Sequence, residues 1–589
     1  MGPAFLKDSK ERYDAFSDGE VLENKKKGSL PAMGWNSWNA FGSNNTEVLT
    51  KIMADKIVEL GLDKLGYKFV VLDDGCYKPE RVNGRLANNP EKFPSGFKSL
   101  ADYIHGKGLK FGMYNDIGEK LCSGAAVGTC GFEDVDTQDY VNWNIDFIKV
   151  DNCYYLWDNA TFSNPENAKF VFAPNIKGIR ISGDKDITLS AATDGKLTGT
   201  AAEIKDNYVT GLGTFDGTSP VHTPIGERSS ELRFDISVDK DGIYQLYVNY
   251  ATGKEEGVGS WLQVAVGENG SLAFDDFLKE TADSESFIES EPIELSLKAG
   301  VNTIRLMNHR RQENTLHSYA TFLKGLNEAK KNHDITFSIC EWGKTQPQNW
   351  GYKVGDSWRI LNDITFNVGD DGDNGACRWL DDYTPSITSQ YNKAVIMDEF
   401  AGRDKGWNDP DMLVIGMNGV DNTMAETHMA MWCMMNSPLM LGMDLRRVTK
   451  GDDMYRIIAN ERLIALNQDS LGVQAKRVFC SLAKEKPDTA YIRDINRVDI
   501  LVKPLSDNSV AICFVNVSEE DKKEQYAVTV KQIVEAIGHK MVDSDAFAGA
   551  ESYEITDLWT GETMAIAGDT FAVDEISAHG HIIWKVSIK

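Results

Sequence analysis

Two stretches of alternating strand-like and helix-like segments, with period-two patterning between them and again at the C-terminal end, predict an α/β protein. The expected architecture is a closed eight-stranded parallel barrel. A β-sandwich is inserted into it, and an antiparallel β-sandwich follows it. The expected divisions are an N-terminal extension over 1–29, the first barrel half over 30–172, the insert over 173–312, the second half over 313–474 and the final sandwich over 475–589.

The first predicted strand covers 32–38, and a helix is expected over 46–60. The apolar run 69–72 ends in Asp73-Asp74 and is followed by a helix over 97–106. A third strand is expected over 110–114, a helix over 137–143, and a fourth strand over 147–151. Near-continuous apolar strands suit a sheet buried on both faces. The rhythm then changes: Leu232, Phe234, Ile236 and Val238 alternate with Arg233, Asp235 and Ser237, as on a half-buried strand. After this insert a helix is expected over 323–330, then strands over 335–342, 357–363, 407–415 and 438–444. Eight βα units close into a (β/α)8 TIM barrel. The runs 509–516 and 581–586 belong to the C-terminal sandwich.

The formal net charge of −27 repels a phosphate backbone, so nucleic acid is not an expected partner. No run approaches the ~18 apolar residues of a membrane span. The first 20 residues have no apolar core and do not read as a signal peptide, so a cytoplasmic location is expected, with an exported form lacking its leader as the alternative. Nine cysteines without a CxxC pair, and no HExxH, indicate neither a disulfide scaffold nor a zinc site. The segment Asp370-Asp371-Gly372-Asp373-Asn374-Gly375 resembles part of a calcium loop but lacks its spacing and closing Glu, and reads as a solvated loop. No cofactor is expected, calcium in the insert being the one exception left open.

In such a barrel the chemistry sits at the C-terminal strand ends. Those ends carry Trp38, Asp73, Asp74, Tyr114, Lys149, Asp151, Cys340, Glu341, Arg359, Asp363, Asp409 and Asp411. Carboxylates accept hydrogen bonds from sugar hydroxyls, Lys and Arg donate them, and an indole stacks on a sugar ring. Trp35 is expected in the core and Trp38 as the platform. Asp151 follows Lys149 by two residues and Asp363 follows Arg359 by four. Two carboxylates, each with a cation nearby, are what glycosidic bond cleavage requires. A phosphorylated sugar would call for more cations and a Gly-rich loop, and neither is seen.

The motifs Met33-Gly34-Trp35-Asn36-Ser37-Trp38-Asn39, Leu72-Asp73-Asp74, Phe111-Gly112-Met113-Tyr114, Lys149-Val150-Asp151-Asn152-Cys153-Tyr154, Cys340-Glu341-Trp342-Gly343 and Gly406-Trp407-Asn408-Asp409-Pro410-Asp411 occur in order. Together they resemble family 27 of the glycoside hydrolases, the α-galactosidases or melibiases. The resemblance implies a retaining exo-α-galactosidase acting on galactose-containing oligosaccharides or glycosides. It implies Asp151 as nucleophile and Asp363 as acid and then base. Asp73, Asp74 and Lys149 would hold the O3, O4 and O6 side, Glu341 and Arg359 would hold O2, Trp38 would stack on the ring, and Tyr114, Cys340 and Asp411 would complete the pocket. Lys149 and other donors would keep Asp151 ionised. Cys122 and Cys153 match a family disulfide, with Cys130 close enough to compete. The insert resembles carbohydrate-binding modules. Asp73-Asp74-Gly75-Cys76-Tyr77 departs from the family pattern by an added Gly and a Tyr. The alternatives are a β-L-arabinopyranosidase, an α-N-acetylgalactosaminidase, which Glu341 would disfavour by crowding an acetamido group, and an inactive sugar-binding protein.

Overall fold

The computed structural model describes residues 28–154, 173–199, 202–213, 230–253, 259–268, 272–330, 334–364, 367, 373, 375–381 and 385–589. Most of the N-terminal extension and four residues of the calcium-like segment, Asp370, Asp371, Gly372 and Asn374, lie outside them.

The barrel strands are, in chain order, Met33–Asn36, Phe69–Val71, Lys110–Asp116, Phe147–Asp151, Thr336–Cys340, Ser357–Arg359, Trp407–Asp409 and Leu439–Leu441. All pair in parallel, with the spatial order seventh to first and then eighth. Leu413 closes the ring by a parallel bridge to Leu441, its amide donating to the Met440 carbonyl at 2.8 Å. Six of these strands, the first, second, fifth, sixth, seventh and eighth, end sooner than the apolar runs imply. In the seventh, Pro410 has no amide to give to a ladder. Asp409 Oδ1 accepts from the Asp411 amide at 2.8 Å, and Asp411 turns out of the strand with φ of +78°. The sixth stops at Arg359, so Asp363 lies on the following loop and not at a strand end.

The helices follow local chemistry. Thr46 caps Glu47–Leu60 by accepting from the Leu49 amide, and left-handed Gly61 ends it. The helix expected over 137–143 starts earlier, as Glu133–Asn142, because Glu133, Asp134 and Asp136 favour its first turn. The helix expected over 323–330 runs Arg310–Lys330. It begins three residues after the last insert strand ends at Met307, so the insert finishes before residue 310 and not at 312.

The insert is two antiparallel sheets. One orders Leu272–Phe277, Trp261–Val266, Gly300–Met307, Glu231–Val238 and Lys196–Thr198; the other is centred on Asn175–Ser182 and Gly242–Ala251. Leu232, Phe234, Ile236, Leu246, Val248, Leu262 and Ile304 fill the space between them. Trp261 is buried against Phe277 and joins the barrel core. Gln263 ties the insert to the barrel helix, donating to Glu313 Oε2 at 2.8 Å and accepting from the His309 amide at 2.7 Å.

The C-terminal domain is a six-stranded antiparallel sheet faced by the hairpin Tyr526–Thr529 with Thr570–Val573 and by the helix Val530–Ile537. Asp499 fastens it to the barrel. Its Oδ2 accepts from Arg497 Nε at 3.0 Å and from Tyr391 of the barrel at 3.0 Å, and Arg477 lies 3.4 Å away. Asp499 and both arginines are fully buried. Burial pushes Asp499 up, but Arg497 and then Arg477 outweigh it and hold the carboxyl below its usual range. Asp499→Asn should therefore destabilise the protein by about 3–5 kcal/mol at neutral pH, since two buried guanidinium groups lose their counter-charge. The difference should shrink as pH falls through the folded pKa of Asp499. Thermal melts of both proteins at pH 7 and at acid pH measure this; equal melting temperatures at pH 7 would mean the cluster contributes nothing.

Candidate active site

A cavity of about 160 Å³ opens at the C-terminal ends of the barrel strands. Its wall includes Trp38, Asp73, Asp74, Tyr114, Lys149, Asp151 and Asp363 from the sequence-derived set, together with Cys122 and Cys153. Trp38 opens the short helix after the first strand, while Trp35 is fully buried and donates to the Met443 carbonyl at 2.8 Å.

The second-strand carboxylates are held differently. Asp73 Oδ2 accepts from Lys149 Nζ and from Asn36 Nδ2, both at 2.8 Å. Asp74 accepts from the Ser123 amide at 2.7 Å and the Ser123 hydroxyl at 2.9 Å. Burial raises the Asp74 carboxyl despite these donors. The added Gly75 has a local reason: it adopts φ of +94°, a Cβ there would come within 2.7 Å of Ser43 Cα, and its amide donates to Asp74 at 2.6 Å.

Lys149 is thus paired directly with Asp73, and it acts on Asp151 through space, as the strongest influence lowering that carboxyl. Asp151 accepts from the Asn152 amide at 2.8 Å and from the Tyr114 hydroxyl at 3.2 Å. Burial is its largest influence and exceeds the lowering by Lys149, so its carboxyl rises to about 6. Asp363 is also raised, by burial first, against the lowering by Arg359. The charge of Asp363 adds to the raising of Asp151.

Cys340, Glu341, Arg359 and Asp411 are buried and are not on the cavity wall. Arg359 acts as a clamp: Nη1 lies 3.1 Å from Asp363 Oδ1 and Nη2 2.9 Å from Asp411 Oδ2, with Cys340 Sγ 3.7 Å from Nη1. Asp411 also accepts from the Ile364 amide at 2.8 Å, which fixes the loop bearing Asp363. Asp409, raised by burial to about 6, lines the barrel interior beside Arg359. Glu341 accepts from the amide and hydroxyl of Thr345, both at 2.8 Å. Glu341 is not on the cavity wall, while its neighbour Trp342 is. Trp342 and Tyr154 are wall residues that the sequence reading did not select. Trp342 follows Glu341 in the Cys340-Glu341-Trp342-Gly343 run, but its φ of +61° has no signature in the sequence.

Cys122 and Cys153 form a disulfide with Cα atoms 5.3 Å apart, Cys130 remaining a thiol and Cys76 a buried one. Among the described residues, one cluster of potential metal ligands occurs, Asp116, Cys122, Asp151 and Cys153, and the bridge occupies both of its sulfurs.

Two carboxyls, a Lys–Asp pair and two indoles meeting at the C-terminal end of a parallel barrel define a site of the glycoside hydrolase class. The model of the alpha galactosidase A family matches residues 30–181 and 288–469, breaking inside the insert, and that of the alpha galactosidase C-terminal beta sandwich domain matches residues 496–586. The chain belongs to this family. It is 25% identical over 546 residues to an alpha-galactosidase of Oryza sativa subsp. japonica, covering 92% of this chain and 82% of the relative. It is 25% identical over 565 residues to alpha-galactosidase A of Cellvibrio japonicus, covering 95% and 92%. The structure of the Saccharomyces cerevisiae alpha-galactosidase with raffinose has the same fold, with a TM-score of 0.59 at 19% identity, covering 95% of this chain and 98% of that one.

Proposed function

We propose that the protein is a retaining exo-α-galactosidase that removes terminal α-linked galactose from oligosaccharides or glycosides. The observation that carries this is the shared cavity of Asp151 and Asp363, walled by Trp38, Asp73, Asp74 and Lys149. Asp151 attacks the anomeric carbon while Asp363 protonates the departing oxygen. Asp363 then deprotonates the water that releases galactose, with net retention. The cavity volume of about 160 Å³ suits a single terminal sugar, and so cleavage at chain ends. Lys149 and Asp73 form a donor and acceptor pair for adjacent hydroxyls, and Trp38 and Trp342 provide apolar faces for the ring. The relatives' names and the raffinose-bound neighbour support galactose as the sugar.

A panel of nitrophenyl glycosides tests this reading. The α-galactoside should turn over at least ten times faster than the β-L-arabinopyranoside and the α-N-acetylgalactosaminide. Preference for the arabinopyranoside would reassign the substrate, and no turnover of any would favour a sugar-binding protein.

A further inference from the structure

The nucleophile candidate has a second carboxylate beside it. Asp116 ends the third barrel strand and is the register partner of Asp151 on the fourth. Their carboxylate oxygens lie within 4.8 Å. Asp116 is fully buried, and it is fixed: Oδ1 accepts from the Gly118 amide and Oδ2 from the Cys153 amide, each at 2.6 Å. Two carboxylates this close and this buried repel each other unless a cation compensates.

Lys149, paired with Asp73 at 2.8 Å, lowers Asp151 but divides its charge between the two carboxylates. The other buried ammonium nearby is Lys344, on the loop after the fifth strand and 5% exposed. Its Nζ donates to the carbonyl of Asn152, the residue after Asp151, at 2.5 Å. The same ammonium sits over the Trp342 ring, 4.5 Å from its centroid. It is therefore held on two sides, by the backbone of one catalytic strand end and by a wall of the cavity.

We propose that Lys344 is a positioning residue for Asp151: it pins the backbone after the nucleophile and the Trp342 wall, and it offsets the charge of Asp116. The proposal rests on Asp151 being the nucleophile. Burial raises both carboxyls, the charge of Asp151 raises Asp116 further, and Lys344 is a smaller influence that lowers each of them. The groups facing Asp151 are Tyr114 and Asp116 from the third strand, Lys149 from its own, Cys340 from the fifth, Lys344 from the loop beyond it, Asp363 from the loop after the sixth, and Tyr319 of the barrel helix, whose hydroxyl donates to the Val150 carbonyl.

The test is the pH dependence of kcat/KM on nitrophenyl α-galactoside for the full-length Lys344→Met, Lys344→Arg and Asp116→Asn proteins. Removing the cation should raise the pKa of Asp151 and move the acid limb up by about 1 pH unit. Removing the neighbouring carboxylate should move it down by a similar amount. Lys344→Arg should keep the limb within a few tenths of a unit of the parent. Opposite displacements are not produced by loosened packing, which lowers kcat without a signed shift. An unmoved limb in Lys344→Met, or a shift in the same direction in Asp116→Asn, would overturn the proposal. If Lys344→Met does not fold, Asp116→Asn and Lys344→Arg still decide it, since an unmoved limb in the first or a displaced one in the second contradicts the charge balance. Failure of the nucleophile assignment is seen separately, as undiminished turnover in Asp151→Asn.

Discussion

Asp151→Asn should lose about 10⁴-fold or more of kcat on every substrate, natural or activated. The amide is not a nucleophile, so the covalent glycosyl intermediate cannot form, and no improvement in the leaving group restores the missing bond. The substitution is nearly isosteric. The Asn152 amide, which donates to Oδ1, still finds the amide oxygen, and the Tyr114 hydroxyl, which donated to Oδ2, can instead accept from the new NH2, so the strand end should stay in place. Binding of galactose should change by far less than turnover. Kinetics on an aryl galactoside, with a galactose titration beside it, separate these quantities. Turnover within tenfold of the parent would remove Asp151 from the mechanism.

Asp363→Asn should show a contrasting, substrate-dependent loss. Protonation of the leaving oxygen contributes about 10²–10⁴-fold when the leaving group is a sugar, and little when it is an acidic phenol. A galactosylated oligosaccharide should therefore be cleaved about 10²–10⁴-fold more slowly. A dinitrophenyl galactoside should release phenol in a fast burst, followed by slow turnover, because the second step now lacks its base. Arg359 positions Asp363 by clamping it to Asp411, and although it lowers the Asp363 carboxyl, burial outweighs it and favours the protonated form that the first step needs. Equal losses on both substrates, without a burst, would mean that Asp363 does not move the proton.

Much of this was legible before any coordinates. The βα rhythm on either side of a period-two stretch determined the barrel and its interruption, because strands buried on both faces must be apolar throughout and half-buried strands must alternate. Asp73-Asp74, Lys149-Val150-Asp151 and Asp363 stood out because carboxylates at the end of apolar runs are costly unless paired or used. Other features were decided only in three dimensions. The partner of Lys149 is Asp73, 76 residues away in sequence, and not Asp151, two residues away, because neighbours on a strand point to opposite faces or lie apart along it. Arg359 spends its donors on Asp363 and Asp411, and Glu341 folds onto Thr345, since a buried charge takes the nearest good geometry whatever the substrate would prefer. Trp342 reaches the cavity through a left-handed backbone, and Lys344 reaches the nucleophile's neighbour across the gap between the fourth and fifth strands. The sequence by itself determined the layers of the fold and which carboxylates are candidates for the chemistry, because periodicity and burial are local. Only the tertiary structure decided which charge balances which, because electrostatic pairing depends on distances between strand ends that no local pattern encodes.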